Sequence, residues 1–322
     1  VPSNVRRLFF DPLYVPYFGL SSRDSVIVHD LTTLTFPDWH GANVSEAYSK
    51  AFTRISDSNC QIISVSKSTT NELRYHFGVS FNRIATIPNY LREIQFKNLV
   101  SHKMDNNEKF FLFVGSLEKR KNLTGLIRAF ERTSLANEGY SLKIVGMDGN
   151  GAGEIRELSR KVIGVELLGF VDEKTLVELY ANCRAFVYPS FWEGFGMPLL
   201  EAMAHSCVCV STETGASPEV GGDAVLYVDP CSIDSIAAGI LTVERMSLSV
   251  RKIMKQPGSA SLATPQRLLP TKVTMAFNTK TAFTRPLMIS RDFARKSPVQ
   301  KCLNLVHRIS LTFTAACCQT FI

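Results

Sequence analysis

Short apolar runs alternate with helix-patterned segments between residues 110 and 210, and this alternation is the tightest constraint on the fold. Runs at 110–114, 142–145, 165–168 and 185–188 end on Gly115, Gly146, Gly169 and Pro189-Ser190, and a further run covers 207–210. Between them, Leu123, Leu126, Ile127 and Phe130 have the spacing of one helix face, and helices are also expected near 154–161, 173–182 and 198–204. Short strands alternating with helices predict an α/β chain with a parallel, doubly wound sheet. Such sheets bind ligands outside the carboxyl ends of their strands, where those glycines fall. An earlier set has the same form: a strand at 26–28 ending in His29-Asp30, a helix from about 44 to 56, and a strand at 62–65. A helix over 67–77 closed by Gly78, and a strand at 84–87, complete it. Residues 91 to 108 turn polar and read as a linker.

The segment from Arg184 to Glu201 carries the chemistry. A strand leads into Pro189-Ser190-Phe191-Trp192-Glu193-Gly194-Phe195-Gly196-Met197-Pro198-Leu199-Leu200-Glu201. Gly194 and Gly196 permit a tight backbone path, and Pro198 suits the first turn of a helix. A strand, glycine turn and helix in that order aim free N–H groups and the helix dipole at an anion, most often a phosphate. Glu201, one turn into the helix, suits paired hydroxyls such as those of a ribose, and the combination points to a sugar nucleotide. Two solvated glutamates flanking a loop are the plain alternative.

A second loop, Gly115-Ser116-Leu117-Glu118-Lys119-Arg120-Lys121-Asn122, brings three consecutive cations to the same edge of the sheet. They would neutralise a diphosphate and stabilise it as it leaves, unless the loop is merely a solvated basic turn. A histidine such as His29 at a strand end is equally often a satisfied core residue.

Residues 189–202 resemble the signature of the retaining, family 4 glycosyltransferases of the GT-B fold, the group 1 glycosyltransferases, in which two glutamates flank seven residues. The resemblance covers about residues 24 to 243. It implies two Rossmann-like domains: a partial acceptor-side domain over 1–95, a linker at 96–108, a donor-binding domain over 109–243, and a basic tail over 244–322. It implies roles for His29, Glu193 and Lys121 in catalysis. Donor binding would involve Arg120, Lys121, Gly169, Val171, Glu193, Gly194, Phe195, Gly196, Met197, Pro198, Leu199 and Glu201. Asp30, Ser66 and Ser116 are further candidates; Ser116 stands where the family often has Arg. Phe170 is expected to pack and Glu219 to hold a loop. His205-Ser206 replaces the family's usual glycine behind the catalytic helix, so that turn is expected to be strained.

The implied function is transfer of a hexose, with a lean towards mannose, from a nucleoside-diphosphate sugar (GDP-mannose or a UDP-sugar) to a hydroxyl of a saccharide or lipid-linked acceptor. No bound cofactor or metal is expected. A nucleotide-sugar-binding remnant without catalysis, or a GT-B epimerase or phosphorylase, is the competing reading. Compared with the family, the chain reads as incomplete at both ends, with a first domain lacking its first strand and a tail of aberrant frame.

Charge is unevenly spread. Residues 245 to 322 carry 13 Lys and Arg against one acid, Asp292, a net +12; the rest, with 23 cations against 28 acids, holds −5, giving +7 overall. The tail is expected to be disordered; a polybasic region for nucleic acid or anionic membrane is the alternative. The eight cysteines lack metal-like spacing and are expected to be buried reduced thiols. Without an apolar run of about eighteen residues or a secretory start, a cytoplasmic enzyme is expected, with at most peripheral contact at an anionic membrane and no specific nucleic-acid partner.

Overall fold

The computed structural model describes residues 6–91 and 109–246. The expected linker lies almost wholly outside the described residues, as do the expected disordered tail and Cys302, Cys317 and Cys318. Strands β1 (Leu8–Phe9), β2 (Ser25–Val28), β3 (Gln61–Ser64) and β4 (Ile84–Thr86) form one parallel sheet in that order. Strands β5 (Phe110–Val114), β6 (Ser141–Val145), β7 (Val165–Gly169), β8 (Ala185–Val187), β9 (Cys209–Thr212) and β10 (Val225–Val228) form a second parallel sheet, ordered β10-β9-β8-β5-β6-β7. The chain runs outward from β5 to β7, then returns to the other side of β5 and runs outward through β10. The order therefore reverses between β5 and β8, where such sheets open a crevice for ligands.

Each sheet has its own core. Val26, Val28, Phe52, Ile55, Ile62 and Leu73 close the first; Phe111, Phe113, Phe130, Phe186, Leu199 and Ile240 belong to the second. Val65, beyond β3, and Leu91 are buried in the second core, so the two sheets share apolar packing. The helix Lys67–Phe77 has the expected limits, and Gly78 ends it in the left-handed conformation.

Four features depart from the sequence reading. The two-residue β1 pairs with β2 ahead of the strand expected first. β10 and the helix Ile233–Arg245 extend the second sheet's layers; Ile236, Ile240 and Val243 give that helix a buried face. β9 starts two residues later than expected. The chain first closes the helix Met197–Ala204 with bonds from Ser206 N to Met203 O (2.9 Å) and Cys207 N to Ala202 O (2.9 Å). Ser206 takes φ +58°, a left-handed conformation costly for a residue with a side chain, so the strain expected at this turn is present. Finally, Cys231 is exposed, a correction to the uniformly buried thiols; it follows β10 in a surface turn, whereas Cys60, Cys183, Cys207 and Cys209 are buried.

Candidate active site

The loops after β5 and β8 meet at the reversal point. Glu193, only 4% exposed, extends its carboxylate between two cations of the other loop. Arg120 Nη1 donates to Oε2 at 2.9 Å and Lys121 Nζ to Oε1 at 2.9 Å. Lys121 Nζ also donates to the Tyr188 hydroxyl at 2.5 Å, and Arg120 Nη1 to the Trp192 carbonyl at 2.9 Å. Burial alone would push the Glu193 carboxyl up; Arg120 and then Lys121 outweigh it and lower the carboxyl to about 2. Burial pulls the Lys121 ammonium down, opposed by Glu193 and reinforced by Arg120. With a fixed carboxylate at hydrogen-bond distance, the ammonium remains the charged partner. Burial likewise lowers Arg120, and Glu193 followed by Asp30 raises it more. Ser116 turns its hydroxyl to Glu118 at 2.7 Å, and Lys119 stays exposed.

Glu201 occupies a different environment. It accepts from the buried Tyr180 hydroxyl at 3.3 Å and lines a cavity of about 60 Å³ with Tyr180, His205, Leu176 and Leu91. Burial pushes its carboxyl up, with Tyr180 opposing. Gly196 takes φ +91° at the start of the helix carrying Glu201, a conformation that favours glycine. Met197 and Pro198 begin that helix, Leu199 is buried within it, and Phe195 is buried just ahead of it. Gly169 ends β7 and Val171 packs on the core, but Phe170 is 59% exposed. The packing role expected for Phe170 is thus corrected; it lies past the end of its strand, where the chain leaves the sheet.

The first sheet's loops close over this edge. A Cβ on Gly194 would lie 2.0 Å from the His29 carbonyl oxygen, so only glycine admits that approach. The Thr69 hydroxyl lies 3.2 Å from His29 O and 3.4 Å from Gly194 O. Phe36 stacks on Trp39 and meets Trp192 at 6.0 Å between ring centroids, and Trp39 stacks on Phe191 at 5.8 Å. Glu219 spans the two sheets' segments: its carboxylate accepts from Lys67 N at 2.8 Å and Ser68 N at 2.6 Å. It satisfies the free N–H groups at the start of a first-sheet helix, so the loop-holding role expected for it is corrected.

Three other candidates are placed differently from expectation. The His29 backbone reaches the glycine turn, but its imidazole is exposed and its Nε2 lies 3.1 Å from Phe10 O. Asp30 Oδ1 accepts from Thr32 N at 3.0 Å and from the Thr32 hydroxyl at 2.7 Å. The Ser66 hydroxyl is taken up in capping its helix, accepting from Thr69 N at 3.0 Å, so it is not free to face a ligand. Sequence reasoning missed His40, whose Nε2 lies 3.1 Å from the Thr32 hydroxyl and which burial keeps below the usual histidine range. It also missed Glu72, which burial and then Asp30 push up to about 7, with the Trp192 indole opposing. Among the described residues no helix is long and apolar enough to cross a membrane.

The chain is 31% identical over 228 residues to O-antigen chain mannosyltransferase B of Escherichia coli, covering 66% of this chain and 59% of that protein. It is 26% identical over 234 residues to O-antigen chain mannosyltransferase RfbU of Salmonella typhimurium, covering 70% and 62%. It therefore spans about three-fifths of the length of these relatives. The crystal structure of a Staphylococcus aureus TarM mutant, in complex with UDP among other ligands, superposes with a TM-score of 0.60 at 16% identity, covering 76% of this chain and 50% of that one; this supports the GT-B fold. The sequence pattern of the glycosyl transferases group 1 matches residues 95–259, about half of the chain. With its glycine turn and basic loop joined at the reversal of the second sheet, the chain belongs to the glycosyl transferases group 1 family.

Proposed function

We propose that this protein transfers a hexose, mannose in the first instance, from a nucleoside-diphosphate sugar to a hydroxyl of a saccharide or lipid-linked acceptor, with retention of configuration. The observation that carries the proposal is the Arg120–Glu193–Lys121 cluster at the reversal point of the sheet. A buried and a half-buried cation held by one carboxylate form an anion site whose internal occupant a diphosphate can replace. We assign residues 109–243 to the donor and residues 1–95 to the acceptor side. Arg120 and Lys121 take the diphosphate, and the loop from Gly169 to Val171, with Glu201, takes the nucleoside. Glu193, freed from one or both cations, turns to the transferred sugar. Positioning and neutralisation of the leaving diphosphate supply the rate enhancement. The two mannosyltransferase relatives, both named for O-antigen chains, favour mannose and a polysaccharide acceptor.

The test is product analysis. Incubation with GDP-mannose or a UDP-hexose and a panel of hydroxyl acceptors should give an α-linked product, read from the anomeric proton by NMR. Release of free nucleoside diphosphate should accompany it. Epimerised sugar nucleotide, or binding with no turnover across the panel, would overturn the assignment.

A further inference from the structure

The helix Glu173–Asn182 carries Tyr180, whose hydroxyl donates to Glu201. The last carbonyls of a helix find no partner within it. For the Tyr180 carbonyl, the amide four residues on is Arg184 N, which donates instead to Phe110 O at 2.7 Å. Among the described residues, the hydrogen bonds that reach Tyr180 O come from two thiols, Cys207 Sγ at 3.0 Å and Cys183 Sγ at 3.4 Å. Both cysteines are buried, and their sulfurs lie 3.8 Å apart.

Cys183 and Cys207 lead into β8 and β9, neighbouring parallel strands in which Phe186 pairs with Cys209. Carried back two residues, that register sets Arg184 opposite Cys207 and leaves Cys183 one residue off. Neighbouring strands lie about 4.8 Å apart, so this offset stays within the about 4.4–6.8 Å between α-carbons that a disulfide spans. The adjustment that brings the sulfurs into bonding distance falls on a turn already under strain, since Cys207 follows Ser206 with its φ of +58°. Hydrogen peroxide supplies the oxidation without a further reagent. One sulfur, as thiolate, cleaves the peroxide O–O bond and takes up one oxygen as a sulfenic acid, and the other oxygen leaves as water. The second sulfur displaces the sulfenic oxygen as water, and the sulfur–sulfur bond forms. Two thiols and one peroxide become one disulfide and two waters, so both thiol protons are lost.

Two thiols capping a helix end can serve the fold alone. Their oxidation is not neutral, because the protons lost are those that Tyr180 O accepts. A buried acceptor stripped of its donors is disfavoured, so the helix end shifts to find another, and the Tyr180 ring shifts with it. That ring stacks on His205 at 5.1 Å between centroids and bonds Glu201 Oε2 at 3.3 Å. Building on the proposed function, we infer that Cys183 and Cys207 form a peroxide-sensitive pair, whose disulfide displaces Tyr180 and weakens the nucleoside end of the donor site. Arg120 and Lys121 belong to other loops, so the diphosphate end is spared.

The full chain is treated with hydrogen peroxide and mapped by tandem mass spectrometry without reductant, and GDP, UDP and inorganic pyrophosphate are titrated into the reduced and oxidised forms by calorimetry. A Cys183–Cys207 linkage should appear, GDP and UDP should bind at least about fivefold more weakly, and dithiothreitol should restore them. Pyrophosphate affinity should be unchanged. Cys183→Ser keeps a donor to Tyr180 O and every other thiol; it should bind nucleotide as the reduced wild type does, before and after peroxide. By linkage, saturating GDP or UDP should lower the oxidised fraction in a dithiothreitol redox buffer by the same factor. Thiols or a different pairing at Cys183 and Cys207 after peroxide would overturn the pair. A disulfide that leaves GDP and UDP affinity unchanged, or an equal loss in peroxide-treated Cys183→Ser, would overturn the coupling and leave the donor assignment standing. Failure of the reduced protein to bind either nucleotide would instead overturn the proposed function, with the peptide map still deciding the pair.

Discussion

The two signature glutamates stand eight positions apart, one before the glycine turn and one in the helix after it, yet their charges are governed in opposite directions. Glu193 is buried between Arg120 and Lys121, which lower its carboxyl to about 2. Glu201 is half-buried with a long bond from Tyr180, and its partial burial pushes it up. Desolvation acts on both, and nearby cations decide which sign wins. Glu193 is held as an anion between two cations, whereas the Glu201 carboxyl has a single long bond, from Tyr180. On the proposed function, charge neutralisation falls to one end of the motif and hydroxyl recognition to the other.

The largest test of this contrast is to remove a cation from Glu193. Lys121→Met keeps the volume but leaves Glu193 and the Tyr188 hydroxyl short of a buried donor. Urea denaturation should show a loss of about 3–5 kcal/mol, the usual cost of breaking a buried ion pair. A loss below about 1 kcal/mol would mean that the pair is not sealed as described. The converse change, Glu193→Gln, frees Arg120 and Lys121 from their internal anion. Inorganic pyrophosphate should then bind about tenfold more tightly than to the wild type, measured by calorimetry. Equal affinity would show that Glu193 does not compete with phosphate.

A smaller effect separates the carboxylates by pH. Glu193 titrates below its ordinary value of 4.5, so its stabilisation is full above 4.5 and is lost as pH falls through about 2. The stability gap between the wild type and Glu193→Gln should therefore close in acid. Glu201 titrates above 4.5, so its contribution is full below 4.5 and is lost as pH rises through its raised value. Glu201→Gln should match the wild type near pH 4 and exceed it in melting temperature at pH 8. Parallel pH profiles for the two variants would remove the distinction.

Much of this site is legible in the sequence because its chemistry is local. The strand, glycine turn and helix of 185–204, and the basic loop beside β5, are each continuous stretches whose periodicity and glycines announce their geometry. Their convergence follows from the strand order, which the alternation predicts only as a class. What escaped notice is non-local. Glu72 sits on an ordinary polar helix surface, and only the docking of that helix against Trp192 makes it a buried acceptor. Glu219 likewise gains its role from the helix start at Lys67, far away in the chain. Ser66 is a candidate through the family resemblance alone; the bond from Thr69 N shows its hydroxyl capping the helix instead. The helix Ile233–Arg245 was missed although Ser232 and the spacing of Ile236, Ile240 and Val243 signal it.

The central claim is that the diphosphate seats on Arg120 and Lys121 and the nucleoside near Glu201. Calorimetric titration of GDP, UDP and inorganic pyrophosphate into the wild type, Lys121→Met and Glu201→Gln, side by side, tests it most directly. Lys121→Met should lose affinity for pyrophosphate and nucleoside diphosphate alike, by about tenfold or more, provided circular dichroism shows it folded. Glu201→Gln should bind pyrophosphate as the wild type does and the nucleoside diphosphates several-fold more weakly. Unchanged pyrophosphate affinity in folded Lys121→Met, or an equal loss of pyrophosphate in Glu201→Gln, would contradict it.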